Sequence, residues 1–262
     1  MARQAPVRDV APTVQRLRLR YAKRGRLRFT STRDFQRALE RALRRTGVPM
    51  AYSQGFNPHP RISYTNAAPT GTASEAEYVE LAVTSVLDPE KVRLALDEAL
   101  PEGLDVLEVV EVRTSDFADR LQASVWLIEL PEVEPALARA AVATFLAAPV
   151  VEVQRLTKSG MRTFDARVPV LRLEVRDAPE TDPDTPETSP PAVPCAILEV
   201  VVRHVTPSVR PDDVLAALRQ VADLVPPLPA RVTRLAQGPL VADASSGAAT
   251  DAVSDPLAAD RS

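Results

Sequence analysis

Apolar residues recur along this chain with two different periods, and the order in which the periods alternate limits what it can fold into. Val14-Gln15-Arg16-Leu17-Arg18-Leu19-Arg20-Tyr21-Ala22 alternates apolar and polar residues, the period of a half-buried strand with its arginines outward. From Ser31 the period lengthens. Phe35, Ala38, Leu39, Ala42 and Leu43 fall at i, i+3, i+4, i+7 and i+8, one apolar stripe along a helix over residues 31–46. Ser31 with Asp34 three residues on predicts a capping box at its start, and Gly47 predicts its stop. Residues 77–83 alternate again, Asp88 and Pro89 open a second helix that ends at Pro101-Glu102-Gly103, and residues 104–112 read as another strand. With a further strand from the region 52–63, this order predicts a βαββαβ unit, a four-stranded antiparallel sheet with two helices on one face.

The plan then repeats. Residues 123–130, 150–156, 168–175, 196–204 and 230–235 read as strands, and 132–147 and 211–224 as helices. The expected fold class is therefore α+β, two ferredoxin-like βαββαβ-type halves with antiparallel sheets and helices on one face. Their bounds are 14–115 and 116–240. A leader over 1–13 is expected to be flexible. Disorder is expected for the insertion at 177–194, dominated by Pro, Asp, Glu and Thr, and for the small, polar tail at 241–262.

Charge is distributed unevenly. Between Val14 and Tyr64 stand 13 basic residues and two acidic ones, a local charge of +11 in a chain whose formal net charge is −3. Arg33, Arg37, Arg41, Arg44 and Arg45 lie off the apolar stripe of the first helix, in a row about one turn apart. Such a field attracts polyanions such as nucleic acid, or an acidic partner surface. Cys195 is the one cysteine and His59 and His204 the two histidines, which excludes a disulfide framework and leaves too few ligands for a zinc or iron–sulfur site within the chain. No metal and no cofactor is therefore expected in the chain. No apolar run approaches the roughly 20 residues that span a bilayer, and the N-terminus has no signal-peptide apolar region, so a cytoplasmic chain without a membrane partner is expected.

The loop after the first helix, Tyr52-Ser53-Gln54-Gly55-Phe56-Asn57-Pro58-His59-Pro60-Arg61-Ile62-Ser63-Tyr64, gathers amide, imidazole, guanidinium, hydroxyl and aromatic groups. Its prolines fix φ and remove two backbone donors, and Gly55 permits φ > 0, so it reads as a shaped loop. The candidate RNA- or ligand-binding residues are Ser31, Asp34, Arg37, Arg41, Arg44, Arg45, Tyr52, Gln54, Phe56, Asn57, His59 and Arg61. Three roles stay open for His59: shaping the loop, touching a ligand or RNA, or acting as a general base. The sequence identifies neither an orienting carboxylate nor a nucleophile for it, so catalytic residues are unknown. Residues 158–165 form a second polar turn, readable as a hairpin tip. P-loop, dinucleotide-binding and zinc-hydrolase motifs are absent.

The segments Gly25-Arg26-Leu27-Arg28-Phe29-Thr30-Ser31, Arg37 to Arg45, and above all Ala51 to Ser63 resemble the radical-SAM-linked domain family of unknown function. Gly71, Ser74-Glu75-Ala76-Glu77-Tyr78 and Pro101-Glu102-Gly103-Leu104 extend the resemblance over about residues 14–113, with a weaker pattern to about 236. Members occur fused behind a radical-SAM enzyme domain or as a separate chain, and this sequence resembles the separate form. The resemblance implies a radical-SAM enzyme as partner and names no reaction. Where members carry a histidine after the serine of the first helix, this chain has Thr32, which argues against an indispensable base there. A non-catalytic RNA-binding or substrate-presenting module is the leading expectation. Its rivals are an enzyme that takes a small anionic substrate around His59, Asp34 and Arg61, and an adaptor that binds only protein.

Overall fold

The computed structural model describes residues 11–54, 56–157, 160–176, 193–242 and 249–261. Two compact units divide the chain, residues 1–120 with 256–262 and residues 121–255. Both are α+β. Gly55, Lys158, Ser159, residues 1–10 of the leader expected at 1–13, residues 177–192 of the insertion expected at 177–194, and residues 243–248 and 262 of the expected tail lie outside the described residues.

In the first unit β1 (Gln15–Lys23), α1 (Thr32–Arg45), β2 (Ile62–Thr65), β3 (Ala73–Val83), α2 (Pro89–Ala99) and β4 (Val106–Glu111) follow in order. The strands lie in the order β4-β1-β3, with β2 also on β3, and each of these pairs is antiparallel. Register places Leu17 opposite Leu81 and Leu19 opposite Val79, so period two puts their side chains on one face. That face buries the α1 stripe of Phe35, Leu39, Ala42 and Leu43 and the α2 residues Val92 and Leu96. Tyr21 stacks on Phe35 with ring centroids 4.1 Å apart, and Tyr64 meets Phe35 edge-on at 6.1 Å.

Both ends of α1 are closed. The Ser31 hydroxyl oxygen accepts the Asp34 N–H at 3.2 Å while its O–H donates to the Asp34 carboxylate at 2.7 Å. At the other end Gly47 takes φ +68, so the N–H groups of Gly47 and Val48 reach the carbonyls of Arg44 and Leu43. This is the Schellman closure that glycine permits.

Two expectations need correction in this unit. β1 does not point all its cationic side chains outward, because Arg18 and Lys23 are buried. β1 is flanked on both sides, and Arg18 meets Glu80 and Asp260 while Lys23 donates to the carbonyls of Ala68 and Pro69. The tail expected to be disordered over 241–262 contributes a 3-10 turn, Ala258–Asp260, in which Leu257 and Asp260 are buried. Short polar composition hides the buried Leu257 and the ion pairs of Asp260 and Arg261 that hold it.

The first unit also holds α3 (Phe117–Arg120), and the second contains β5 (Ala123–Pro131), α4 (Pro135–Ala147), β6 (Glu152–Thr157), β7 (Gly160–Asp165), β8 (Val170–Arg176), β9 (Cys195–Arg203), α5 (Pro211–Ala222) and β10 (Arg231–Gly238). Its sheet runs β10-β5-β9-β8 with antiparallel neighbours, the same order of first, second, third and fourth strands as in the first unit. The strand expected at 150–156 is not part of that sheet. It pairs with β7 as a separate hairpin, Val153 opposite Phe164, both buried. β11 (Leu240–Ala242) and β12 (Ala249–Val253) form another two-stranded ladder, also within the stretch expected to be disordered. Trp126, Ile128 and Leu130 on β5 pack with Val142 and Phe145 on α4 and Val214 and Leu218 on α5.

Below this sheet's edge His204 Nδ1 lies 2.6 Å from the Leu121 carbonyl and Nε2 lies 2.7 Å from the Ser124 hydroxyl. Donation from Nδ1 to a carbonyl leaves Nε2 to accept, a neutral tautomer. Burial foremost, with the Arg234 charge adding to it and the Leu121 bond opposing, lowers the His204 pKa below its ordinary 6.5. The folded chain thus resists taking this proton, so stability is full above the unfolded value and declines as pH falls below about 6.5. The slope attributable to this group is at most about 1.4 kcal/mol per pH unit. Denaturant unfolding between pH 8 and 5 should show that decline, reduced in His204→Asn; equal slopes in both would contradict it. On the first core, Leu39→Ala should cost about 2–5 kcal/mol in the same unfolding measurement.

Candidate functional site

The loop that follows α1 is rooted on β3. Ala51 N–H donates to the Ala82 carbonyl, Ala82 N–H to the Arg61 carbonyl and Arg61 N–H to the Ala51 carbonyl, at 2.8, 3.0 and 2.8 Å. One step further out the Ser53 N–H reaches the His59 carbonyl at 2.8 Å and the His59 N–H reaches the Ser53 hydroxyl at 3.0 Å. Pro58 and Pro60 donate nothing, and the donors that remain between them are used to close the loop. Gln54, Phe56 and Asn57 are left exposed at the tip, Phe56 by 52% and Tyr52 at the root by 42%.

Between this loop and α1 lies a cleft of about 240 Å³. Glu40, Leu43 and Arg44 line it from the helix, Val48 and Met50 from the turn beyond, and Tyr52, Pro58, His59 and Pro60 from the loop. Arg61 faces the other side, in an open depression with Thr13, Tyr52, Ser53 and Gln54, where its guanidinium donates to the Thr13 hydroxyl at 3.4 Å. Asp34 is exposed at the helix start, bonded to Ser31 and 3.9 Å from Arg37. The cleft that holds His59 therefore holds neither Asp34 nor Arg61. Among the described residues the His59 imidazole has no hydrogen-bond partner, so no base with an orienting group is assembled.

Arg33, Arg37, Arg41, Arg44 and Arg45 are all exposed on α1. Arg45 donates to the Ala99 carbonyl, and with Arg41 it borders a shallow cavity of about 260 Å³ between α1 and α2. Among the described residues no carboxylate lies within 4 Å of Arg33, Arg41 or Arg44. Several other bases of the same segment are spoken for. Arg18 pairs with Glu80 and Asp260, and Arg24 with Glu75 and Asp105. The sum of +11 thus overstates the exposed field, of which the α1 row is the largest cluster, with Arg26 and Arg61 also exposed.

Glu40 is the residue that sequence reasoning missed. It is the carboxylate lining the His59 cleft, one turn before Arg44 on the same helix face, and that i, i+4 spacing was the available signal. Nearby, burial foremost and the Glu40 charge second raise the Tyr64 phenol above its ordinary value, and among the described residues its buried hydroxyl has no hydrogen-bond partner. An unmade buried hydrogen bond costs about 1–3 kcal/mol. Tyr64→Phe should therefore leave thermal stability unchanged or raise it; a clear loss would show that the hydroxyl has a partner.

The arrangement can neutralise a row of phosphates and offer two aromatic faces, and it brings Arg44, Tyr52 and His59 to one cleft, with Arg41 and Arg45 on the helix's α2 side. Among the described residues no group of three or more His, Cys, Asp or Glu could hold a metal ion, and no helix is long and apolar enough to cross a membrane. Comparison with curated proteins gives no match. A family described as uncharacterized protein conserved in bacteria (DUF2344) matches residues 16–211, from β1 to the first residue of α5, and the chain belongs to that family.

Proposed function

We propose that the chain is a non-catalytic RNA-binding module that works in the cytoplasm and presents its substrate to a radical-SAM enzyme. The observation that carries this reading is the row of exposed α1 arginines beside the cleft and loop that expose Tyr52 and Phe56. Guanidinium groups one turn apart suit phosphates and carry no sequence preference, while aromatic faces stack unpaired bases. Ser31 and Asp34 hold the start of the helix, and Gln54, Asn57, His59 and Arg61 supply hydrogen-bonding groups on the loop. In this reading the chain holds no cofactor. One cysteine, Cys195, cannot ligate an iron–sulfur cluster, so that chemistry belongs to the partner, which the resemblance of residues 14–113 supports.

The rival reading, an enzyme for a small anionic substrate, draws less support because Asp34, His59 and Arg61 do not share the His59 cleft. Equilibrium binding of structured and single-stranded RNA at low and high salt distinguishes the readings. Affinity should fall steeply with salt. Arg37→Ala with Arg41→Ala should weaken binding at least tenfold and reduce the slope of log K against log salt by about 1.4 on single strands. Tyr52→Ala should cost about 1–3 kcal/mol if it stacks a base. Absence of binding at low salt would overturn the reading and leave the arginine row to an acidic protein partner.

A further inference from the structure

Period two places Arg18 on the face of β1 opposite the helices, where its guanidinium is only 2% exposed. That face carries a cradle of donors. The Asp260 carboxylate accepts the N–H groups of Arg113 and Thr114 at 3.1 and 3.0 Å and the Thr114 hydroxyl at 2.6 Å on one oxygen. Its other oxygen meets Arg18, and Arg120 at 3.4 Å. Phe117 backs both guanidiniums, 4.2 Å from Arg18 and 5.2 Å from Arg120.

The segment carrying Asp260 is read at more than one point. Leu257 is fully buried, Arg120 donates to the Pro256 carbonyl at 2.8 Å, and the Arg261 guanidinium makes two bonds to Glu108 at 2.5 and 2.6 Å. An apolar anchor, a carboxylate and a bidentate guanidinium within five residues is how a peptide is recognised by a groove. Two further observations separate groove from occupant. Among the described residues Arg18 Nε and Arg120 Nε are buried without hydrogen-bond partners, so the cradle's donors exceed what this occupant satisfies. The residues of the cradle all lie within the family match over 16–211, and the segment filling it lies outside that match.

We propose that Arg18, Arg113, Thr114 and Arg120 form a recognition site for an acidic peptide with an aspartate followed by an arginine, and that residues 256–261 fill it as a tethered competitor. Tethering holds the segment at high effective concentration, so the unaltered chain should refuse the same peptide from solution. A carboxylate is required because the buried Arg18 and the partly buried Arg120 would otherwise face an uncharged group, with Glu80 left to neutralise Arg18 alone.

The probe is a fluorescent synthetic peptide of residues 254–262, titrated into three chains: unaltered, Asp260→Asn, and a chain lacking 256–262. Both altered chains should bind it saturably one to one, and the unaltered chain should bind at least tenfold more weakly. The same peptide with asparagine in place of Asp260 should bind the shortened chain about thirtyfold more weakly or worse. Folded variants that ignore the peptide, or that bind both peptides equally, would overturn the proposal. Loss of folding in both variants, followed by circular dichroism, would overturn it too, because the segment would then be an integral part of the first unit.

Discussion

Burial of the α1 stripe against β1 and β3 decides which way the arginines of this protein face. Phe35, Leu39, Ala42 and Leu43 have one surface to cover, and each of the three larger side chains gains on the order of 1.5–3 kcal/mol by leaving water. Once those four are inward, helical geometry leaves Arg33, Arg37, Arg41, Arg44 and Arg45 nowhere to go but outward. The Ser31 cap and the Gly47 closure fix the helix's ends, and Gly47 aims the chain back toward β3, where the loop around His59 is rooted. The exposed field and the cleft beside it are thus consequences of one apolar contact.

The first sheet uses its two faces differently. One takes the helices, and the other takes Arg18, which is neutralised by Glu80 and by Asp260 from far along the chain. Burial alone would raise the Asp260 pKa, but the bonds from Thr114 and Arg113 and the charges of Arg18 and Arg120 outweigh it and hold the pKa below the ordinary 3.8. Cationic residues in one short segment therefore serve opposite ends. Some are structural, paired in the interior, and those on α1 stay available.

Much of this was legible in the amino-acid order. Period two at β1 and β3, period 3.6 in α1, and the caps at Ser31, Gly47 and Asp88 are local signals; the structure places β1, α1 and α2 within a residue or two of their expected bounds and starts β3 four residues earlier, at Ala73. What local signals could not carry was pairing over long separations. Arg18 looks like every other arginine of its strand until Asp260 arrives 242 residues later. The strand at 152–157 looks like a sheet strand until its partner across the next turn claims it. At the site, the residue types of the loop were readable, but only the folded backbone separates His59 from Arg61 and brings Glu40 to the cleft.

The most direct test of the central claim is ultraviolet cross-linking of bound RNA to the chain, with the attached peptides mapped by mass spectrometry. The account predicts attachment within residues 33–61, with the aromatic residues of the loop among the adducts. Adducts confined to residues 121–255, or spread evenly over both units, would contradict it.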